Sequence, residues 1–123
     1  MKKTGQCHCG AVKFEVFLSD ENIELNRCNC SLCRKKGAVM TSVPISNVEI
    51  LEGLDVLKLY QWNTKVAKHY FCSICGIYTH HQRRSMPEHY AVNVACFDGP
   101  DITEGREVGI LDGASNSIFQ NEN

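Results

Sequence analysis

Two pairs of cysteines, far apart in the chain, most constrain how this sequence folds. Cys7-x-Cys9 lies near the N-terminus and Cys72-x-x-Cys75 lies beyond the middle of the 123 residues, and glycine follows each pair. Cysteines two residues apart on an extended chain point to the same side, and a two-residue spacing is typical of a zinc knuckle. Glycine permits the positive φ angle that such turns often need. One metal ion shared by all four sulfurs would close a long loop and stabilise the fold directly.

Metal ligation has competitors at these cysteines. Eight cysteines are enough for a disulfide framework, but residues 1–6 contain no apolar stretch, so we expect no signal peptide. We also expect no membrane span, and a reducing cytoplasmic location that favours metal over disulfides. Buried thiols without a metal and an iron–sulfur cluster remain as alternatives to zinc.

A second cluster places three cysteines within six residues, Cys28-x-Cys30-x-x-Cys33. Three thiolates can hold one zinc ion and leave its fourth position open, as catalytic rather than structural sites usually do. An extended step into a helical turn would aim all three sulfurs at one point. Water, substrate or a protein group would fill the fourth position. The protein candidates are an acidic side chain, Cys96, His80 or His81, of which the last two face opposite ways on a strand.

Most of these candidates also have a simpler interpretation. The simpler interpretation of Cys96 is a small core residue on the strand that begins at Tyr90, since free cysteine is among the most buried residue types. His80 and His81 are equally packed or surface histidines. The remaining histidines give no signal of function: His8, His69 and His89.

The ligand type limits the chemistry of the three-cysteine site. Three thiolates give a zinc complex a net charge of about −1 and make the ion a poor generator of hydroxide. Zinc readily accepts a sulfur ligand, so such a site favours carbon–sulfur bond formation over hydrolysis. Arg34, Lys35 and Lys36 follow the cysteines and can bind the carboxylates of a small anionic thiol, or simply compensate the thiolates. Our candidate substrate contacts are Arg34, Lys35 and His80.

The rest of the chain predicts a single, mainly β domain. Val12, Phe14 and Val16 alternate with polar residues, and short strand patterns recur at 11–17, 38–43, 48–51, 56–62, 65–71, 77–81 and 90–95. A short helical turn is expected at 32–36, with Ser31 as its N-cap and Gly37 at its end. We expect antiparallel sheets, one domain over 1–123 with its core at about 4–113, and a mobile tail from residue 115. The net charge of −1 argues against a general nucleic-acid binder.

The cysteine motifs, taken together and in this order, resemble one known family. The matching segments are Gln6-Cys7-His8-Cys9-Gly10-Ala11-Val12-Lys13-Phe14-Glu15, Cys28-Asn29-Cys30-Ser31-Leu32-Cys33-Arg34-Lys35, Phe71-Cys72-Ser73-Ile74-Cys75-Gly76 and the strand 90–98. They look like those of the glutathione-dependent formaldehyde-activating enzymes, which include centromere protein V-like proteins.

The resemblance implies a fold, two metal sites and an activity. It implies a β-tent fold with a structural zinc on Cys7, Cys9, Cys72 and Cys75. It implies a second zinc, which we expect to be the more labile, on Cys28, Cys30 and Cys33. The implied activity condenses glutathione with formaldehyde to S-(hydroxymethyl)glutathione, a carbon–sulfur lyase working in reverse. A non-enzymatic zinc module for protein interaction or metal handling is the alternative, because one fold carries several functions.

Overall fold

The structure, a computed structural model, describes residues 1–19, 23–62 and 65–114. Within these ranges the chain forms one α-helix, α1 (Ser31–Lys36), and three 3-10 turns. It also forms ten strands: β1 (Lys2–Gln6), β2 (Lys13–Phe17), β3 (Asn26–Cys28), β4 (Met40–Pro44), β5 (Val48–Glu52), β6 (Leu57–Tyr60), β7 (Lys68–Cys72), β8 (Tyr78–Gln82), β9 (His89–Asn93) and β10 (Gly109–Leu111). The mainly β prediction is confirmed.

The strands form two sheets. The smaller has the order β1-β2-β5 and is antiparallel throughout. The larger has seven strands in the order β10-β3-β4-β9-β8-β7-β6. Its neighbours are antiparallel except β10 and β3, which pair in parallel through Gly109↔Asn26 and Leu111↔Cys28. That parallel pair was not predicted, because residues 105–113 are glycine-rich and show no alternating pattern.

The alternating pattern of β2 creates the main core, as predicted. Phe14 and Val16 are buried, while Lys13 and Glu15 on the other face are half-exposed. The ring of Phe14 lies 6.4 Å from that of Phe97, centroid to centroid. Strands of the larger sheet and the segments between strands complete this core: Leu18, Leu25, Val43, Val92, Val94, Cys96 and Phe97. Burial of this apolar surface holds the two sheets together.

Two of the predicted strands are shorter in the structure than their apolar runs suggest. The segment predicted as 65–71 begins at Lys68, because Lys65 has a left-handed φ of 60°. The segment predicted as 90–95 ends at Asn93, whose side-chain oxygen accepts a hydrogen bond from the Ala95 N–H. This bond turns the chain into a 3-10 turn, Val94–Cys96, so Cys96 is not on the strand.

The tail from residue 115 onward, for which the sequence predicts mobility, lies outside the described residues. The helix in the described part of the chain has neither the length nor the apolar composition needed to cross a bilayer.

Gly53 is the position where the backbone least tolerates a side chain. It has a φ of +88°, and an added Cβ would overlap the Ala11 carbonyl oxygen and lie 2.8 Å from Val12 Cα. We expect Gly53→Ala to lower the free energy of unfolding by about 3 kcal/mol or more, since overlap with rigid backbone adds to the left-handed penalty. Gly99→Ala is the matched control, because its φ is +93° but nothing lies within 4 Å of its Cβ position. Urea unfolding should show a loss of only about 1 kcal/mol there, and equal losses would contradict this explanation.

Candidate metal centres and the adjoining cleft

The two distant cysteine pairs meet in the structure. The Sγ atoms of Cys7, Cys9, Cys72 and Cys75 all lie within 4.8 Å of one another. Cys7 follows β1 of the smaller sheet and Cys72 ends β7 of the larger one, so this four-cysteine cluster joins the two sheets. Cys7 and Cys72 are buried, Cys75 is half-buried and Cys9 is exposed.

Tight turns position these four sulfur atoms. Gly10 and Gly76 have φ angles of 79° and 80°, as the motifs predicted. Their N–H groups donate to the carbonyls of Cys7 at 3.1 Å and Cys72 at 2.8 Å, which closes each turn. Backbone N–H groups also point at sulfur, from Val12 to Cys7 at 3.3 Å and from Ile74 to Cys72 at 3.4 Å. Such donors stabilise thiolates, the form that binds metal.

The four-cysteine cluster has the dimensions of a tetrahedral zinc site. Zinc–sulfur bonds of about 2.3 Å place sulfur atoms about 3.8 Å apart around one ion. The Cys7–Cys9 and Cys9–Cys72 sulfurs are each 3.7 Å apart. Backbone hydrogen bonds from Cys9 and Ile77 lower the pKa of Cys75 to about 6. The donor set therefore fits a divalent cation that prefers sulfur.

The three-cysteine cluster forms where β3 turns into α1. Cys28 is the last residue of β3, and Cys33 lies in the first turn of the helix. Cys30 is the N-cap, because its sulfur accepts the Cys33 N–H at 3.3 Å. The expectation that Ser31 caps the helix was wrong, since Ser31 is already the first helical residue, whereas Gly37 ends the helix as predicted, with a φ of 66°.

The three thiol groups are so crowded that all of them could ionise only beside a cation. Their Sγ atoms lie within 4.8 Å of one another, and the side chains are 3%, 0% and 3% exposed in chain order. Hydrogen bonds with Cys28 and then Cys30, followed by burial, raise the pKa of Cys33 well above its ordinary range. Contact with Cys28 likewise raises the pKa of Cys30. Three thiolates can coexist here only beside a positive charge, which a bound metal ion would supply.

Among the described residues, no other cysteine, histidine or acidic side chain joins this cluster. Cys96 lies in the main core with its Sγ 3.8 Å from the Tyr78 carbonyl oxygen. Burial, together with the nearby Cys7 and Cys75, raises the pKa of Cys96 to about 12. These properties are typical of a core residue and not of a fourth metal ligand at the three-cysteine cluster.

His80 and His81 face opposite sides of the larger sheet, as the alternation predicted. The His80 ring lies 4.8 Å from the rings of both Tyr70 and Tyr90, centroid to centroid. The His81 ring stacks at 4.5 Å on His69, and its Nδ1 lies 2.7 Å from the Tyr78 hydroxyl. The substrate contact at His80 stays a prediction. On the side of the larger sheet that faces the three-cysteine cluster, the histidine is His81.

A bulge in β8 brings Tyr78 to that same side. The register pairs Phe71 with Tyr78 and Tyr70 with His80, which leaves Thr79 as an extra residue. One extra residue reverses the side to which the next side chain points, and bulges commonly re-aim residues beside functional sites. Tyr78 consequently packs against the three-cysteine cluster, and its hydroxyl lies 3.3 Å from Met40 Sδ.

Lys36 is the cation that turns toward the cysteines. Arg34 and Lys35 are exposed on α1. The Lys36 Nζ lies 3.1 Å from His69 Nδ1 and 3.5 Å above the ring centre of Tyr78. Burial lowers the pKa of Lys36, and the three nearby thiolates oppose that shift. Burial and then the Lys36 charge lower the pKa of His69 to about 3, so His69 is neutral.

Sequence reasoning missed Lys36, His69 and Tyr78 as a group. One signal was present, because Cys33 and Lys36 are three residues apart and so share a face of the helix. The pairing of His69 with His81 across β7 and β8 could not be read from the sequence.

Beside the three-cysteine cluster lies a cleft of about 330 Å³ between α1 and strands β6–β8. We call it the aromatic cleft, and it is lined by Leu32, Lys36, Tyr60, His69, Phe71 and Tyr78. A second cleft of about 460 Å³ shares Lys36 and Tyr78 with it and extends to Arg27 and Asp101. Lys36 thus lies where both clefts approach the cysteines.

Comparison with known proteins agrees with this geometry. The family model of the glutathione-dependent formaldehyde-activating enzymes matches residues 2–108. The chain belongs to this family. A crystal structure of a Rhodobacter sphaeroides protein is similar, with 48% sequence identity, a TM-score of 0.82, and coverage of 90% of this chain and 100% of that one.

Two curated relatives carry the family's name as a provisional name. The Halomonas elongata protein is 34% identical over 80 residues, covering 58% of this chain and 50% of its own length. The Emericella nidulans protein is 29% identical over 76 residues, covering 58% of this chain and 38% of its own length. The matched region is thus half or less of each curated relative.

Substitution of the exposed Cys9 tests the four-cysteine site. Cys9→Ser changes one surface atom, so without a metal it should hardly affect stability. With a shared metal, losing one ligand should lower the Tm by more than about 10 °C, since structural zinc contributes several kcal/mol to folding. His8→Ser, at the adjacent exposed position, is the control and should leave the Tm within about 2 °C. Differential scanning calorimetry decides the matter, and an unchanged Tm for Cys9→Ser would rule out a structural metal here.

Proposed function

We propose that this protein is a zinc-dependent enzyme of the carbon–sulfur lyase type that joins a small thiol to an aldehyde. The family's reaction, glutathione plus formaldehyde to S-(hydroxymethyl)glutathione, is the model case. The observation that supports it is the three-cysteine cluster, for which no fourth ligand was found among the described residues. The membership of the family supports the choice of thiol.

The proposal assigns two zinc ions to each chain. Cys7, Cys9, Cys72 and Cys75 would hold the structural ion tightly, and Cys28, Cys30 and Cys33 would hold the second, more labile one. At the second site zinc would accept the thiol sulfur of the substrate and keep it deprotonated and nucleophilic. All eight cysteines are free thiols in the structure, so a reducing compartment such as the cytoplasm suits both sites.

The reaction itself needs little more than position and charge. The thiol sulfur bonds to the carbonyl carbon, the carbon–oxygen π electrons move to oxygen, and that oxygen takes up the proton lost by the thiol. Lys36 holds a positive charge beside the cysteines, within reach of both clefts. Arg34 and Lys35 are exposed on the same helix and would bind the carboxylates of the thiol at the rim.

A non-enzymatic zinc module is the second candidate. The observation that favours it is burial, because the three sulfurs are nearly inaccessible to solvent. In that case the three-cysteine cluster would hold its metal without exchanging ligands. This candidate predicts no affinity for thiols and no effect on their addition to aldehydes.

Cys30→Ser separates these candidates. We expect the wild type to accelerate exchange between glutathione, formaldehyde and their adduct above the uncatalysed rate, as measured by NMR exchange spectroscopy. With Cys30→Ser, the exchange rate should fall to the uncatalysed rate. The variant should still retain one zinc per chain by native mass spectrometry, because it loses a ligand of the second site only. Cys96→Ala is the control, since Cys96 belongs to neither cluster. Wild-type exchange no faster than the background would favour the module.

A further inference from the structure

A small polar cavity, which we call the Arg83 cavity, lies on the face of the larger sheet that carries Cys28. Asn26 and Cys28 are two residues apart on β3, so their side chains point to the same side. Met40 pairs with Asn26 across the neighbouring strands and shares that side. The cavity measures about 140 Å³, and most of its lining residues are polar: Glu24, Asn26, Ser42, His81 and Arg83.

The Arg83 cavity adjoins the three-cysteine cluster. Three apolar residues line the cavity and also pack against the cysteines: Met40, Ala91 and Leu111. The polar end of the cavity lies farther from the sulfur atoms. Because β3 and β4 are antiparallel, Ser42 is four residue positions from Cys28, two along β3 and two along β4. At about 3.3 Å per residue, this separation is about 13 Å along the strand direction.

Arg83 presents a half-buried positive charge to this cavity. Its Nη1 donates to Ser42 Oγ at 3.0 Å, and the Ser42 hydroxyl can donate in turn to His89 Nδ1, 2.9 Å away. These bonds hold the guanidinium group in place. Within residues 1–19, 23–62 and 65–114, no carboxylate forms an ion pair with Arg83. Because the N–H groups of a guanidinium form a fork that matches a carboxylate, the cavity favours a ligand with a carboxylate.

Glu24 adds an exposed negative charge to the same cavity. As far as the described residues extend, Glu24 forms an ion pair neither with Arg83 nor with another cation. A simple anion such as phosphate would be attracted by Arg83 but repelled by Glu24. An α-amino acid group carries a carboxylate and an ammonium group on one carbon atom, so it complements both charges.

We propose that the Arg83 cavity binds the α-amino acid end of the thiol substrate, with the carboxylate on Arg83 and the ammonium group on Glu24. This inference rests on the proposed function, because the three-cysteine site binds the sulfur of the same molecule. A cavity of about 140 Å³ holds such an end group and not a whole tripeptide. The glycine carboxylate of glutathione is then left for Arg34 and Lys35, which are exposed on α1.

The distance between the two sites selects the kind of thiol. Ser42, which holds Arg83, lies about 13 Å from Cys28 along the strands. In cysteine the sulfur is too close to the α-carbon to span this separation. In a γ-glutamyl thiol such as glutathione, the side chain of the glutamyl residue and a peptide bond extend the molecule toward the three-cysteine cluster. The inference therefore favours a γ-glutamyl thiol over a free amino acid.

The test measures binding to the zinc-loaded protein by isothermal titration calorimetry. The first probe is ophthalmic acid, the analogue of glutathione in which a methyl group replaces the thiol, so zinc does not contribute to its binding. Arg83→Gln should weaken this binding by about tenfold or more, because a charge-assisted hydrogen bond is lost. Arg84→Gln, at the neighbouring half-buried arginine outside the cavity lining, should leave the Kd unchanged.

Glu24→Gln tests the ammonium contact. Glu24 is exposed, so this variant keeps the inference testable even if Arg83→Gln folds poorly. It should weaken ophthalmic acid binding by about threefold, as expected for an exposed ion pair. N-acetylated ophthalmic acid lacks the ammonium charge and should bind the wild type and Glu24→Gln equally. Glu52→Gln, at an exposed glutamate on β5, is the control and should bind ophthalmic acid like the wild type.

Glutathione and cysteine distinguish the two sources of an α-amino acid group. Arg83→Gln should weaken glutathione binding by about tenfold and leave cysteine binding unchanged, because cysteine held through its sulfur cannot also reach Arg83. An equal loss for both thiols would overturn the assignment to a γ-glutamyl thiol.

The outcomes separate this inference from the proposed function. Absence of ophthalmic acid binding to the wild type, or equal affinity in the wild type and either charge variant, would overturn the cavity assignment even if the wild type accelerates thiol addition. Ophthalmic acid binding that depends on Arg83 and Glu24, in a protein that does not accelerate thiol addition, would support the cavity and overturn the proposed function.

Discussion

The meeting of four sulfur atoms between the two sheets is the constraint on which the rest of the structure depends. Cys7 and Cys9 leave the smaller sheet, while Cys72 and Cys75 leave the larger one, and residues 10–71 form the loop between them. Thiols at 3.7 Å separations contribute little stability by themselves, whereas binding of a shared ion would supply a large favourable free energy for closing the loop. A domain of this size buries a limited apolar core, so it benefits from such a link.

The sequence predicted what local spacing determines. It located both cysteine clusters, the glycine turns at Gly10 and Gly76, and the buried face of β2, because those features depend on residues a few positions apart. It missed features that arise only when distant strands pair. The parallel pairing of β10 with β3 and the extra residue Thr79, which turns Tyr78 toward the cysteines, belong to that group. The N-cap was also missed, since Cys30 competes with Ser31 for that position and prevails.

The three-cysteine cluster depends on the scaffold differently from the four-cysteine cluster. Its three cysteines come from one short segment, so the loss of a metal ion bound there need not unfold the sheets. Its surroundings come from elsewhere in the chain, because His69 and Tyr78 belong to strands β7 and β8. The short three-cysteine segment and side chains from distant strands thus meet at Lys36, which contacts both His69 and Tyr78.

We propose that one metal site is closed by protein sulfur and that the other accepts an external sulfur. Zinc K-edge X-ray absorption of the protein with two zinc ions, with and without glutathione, distinguishes such an open site from a closed one. We expect an average of about 3.5 sulfur neighbours per zinc without thiol, rising toward about 4 with it. An average that does not change when glutathione is added would contradict an open site at Cys28, Cys30 and Cys33.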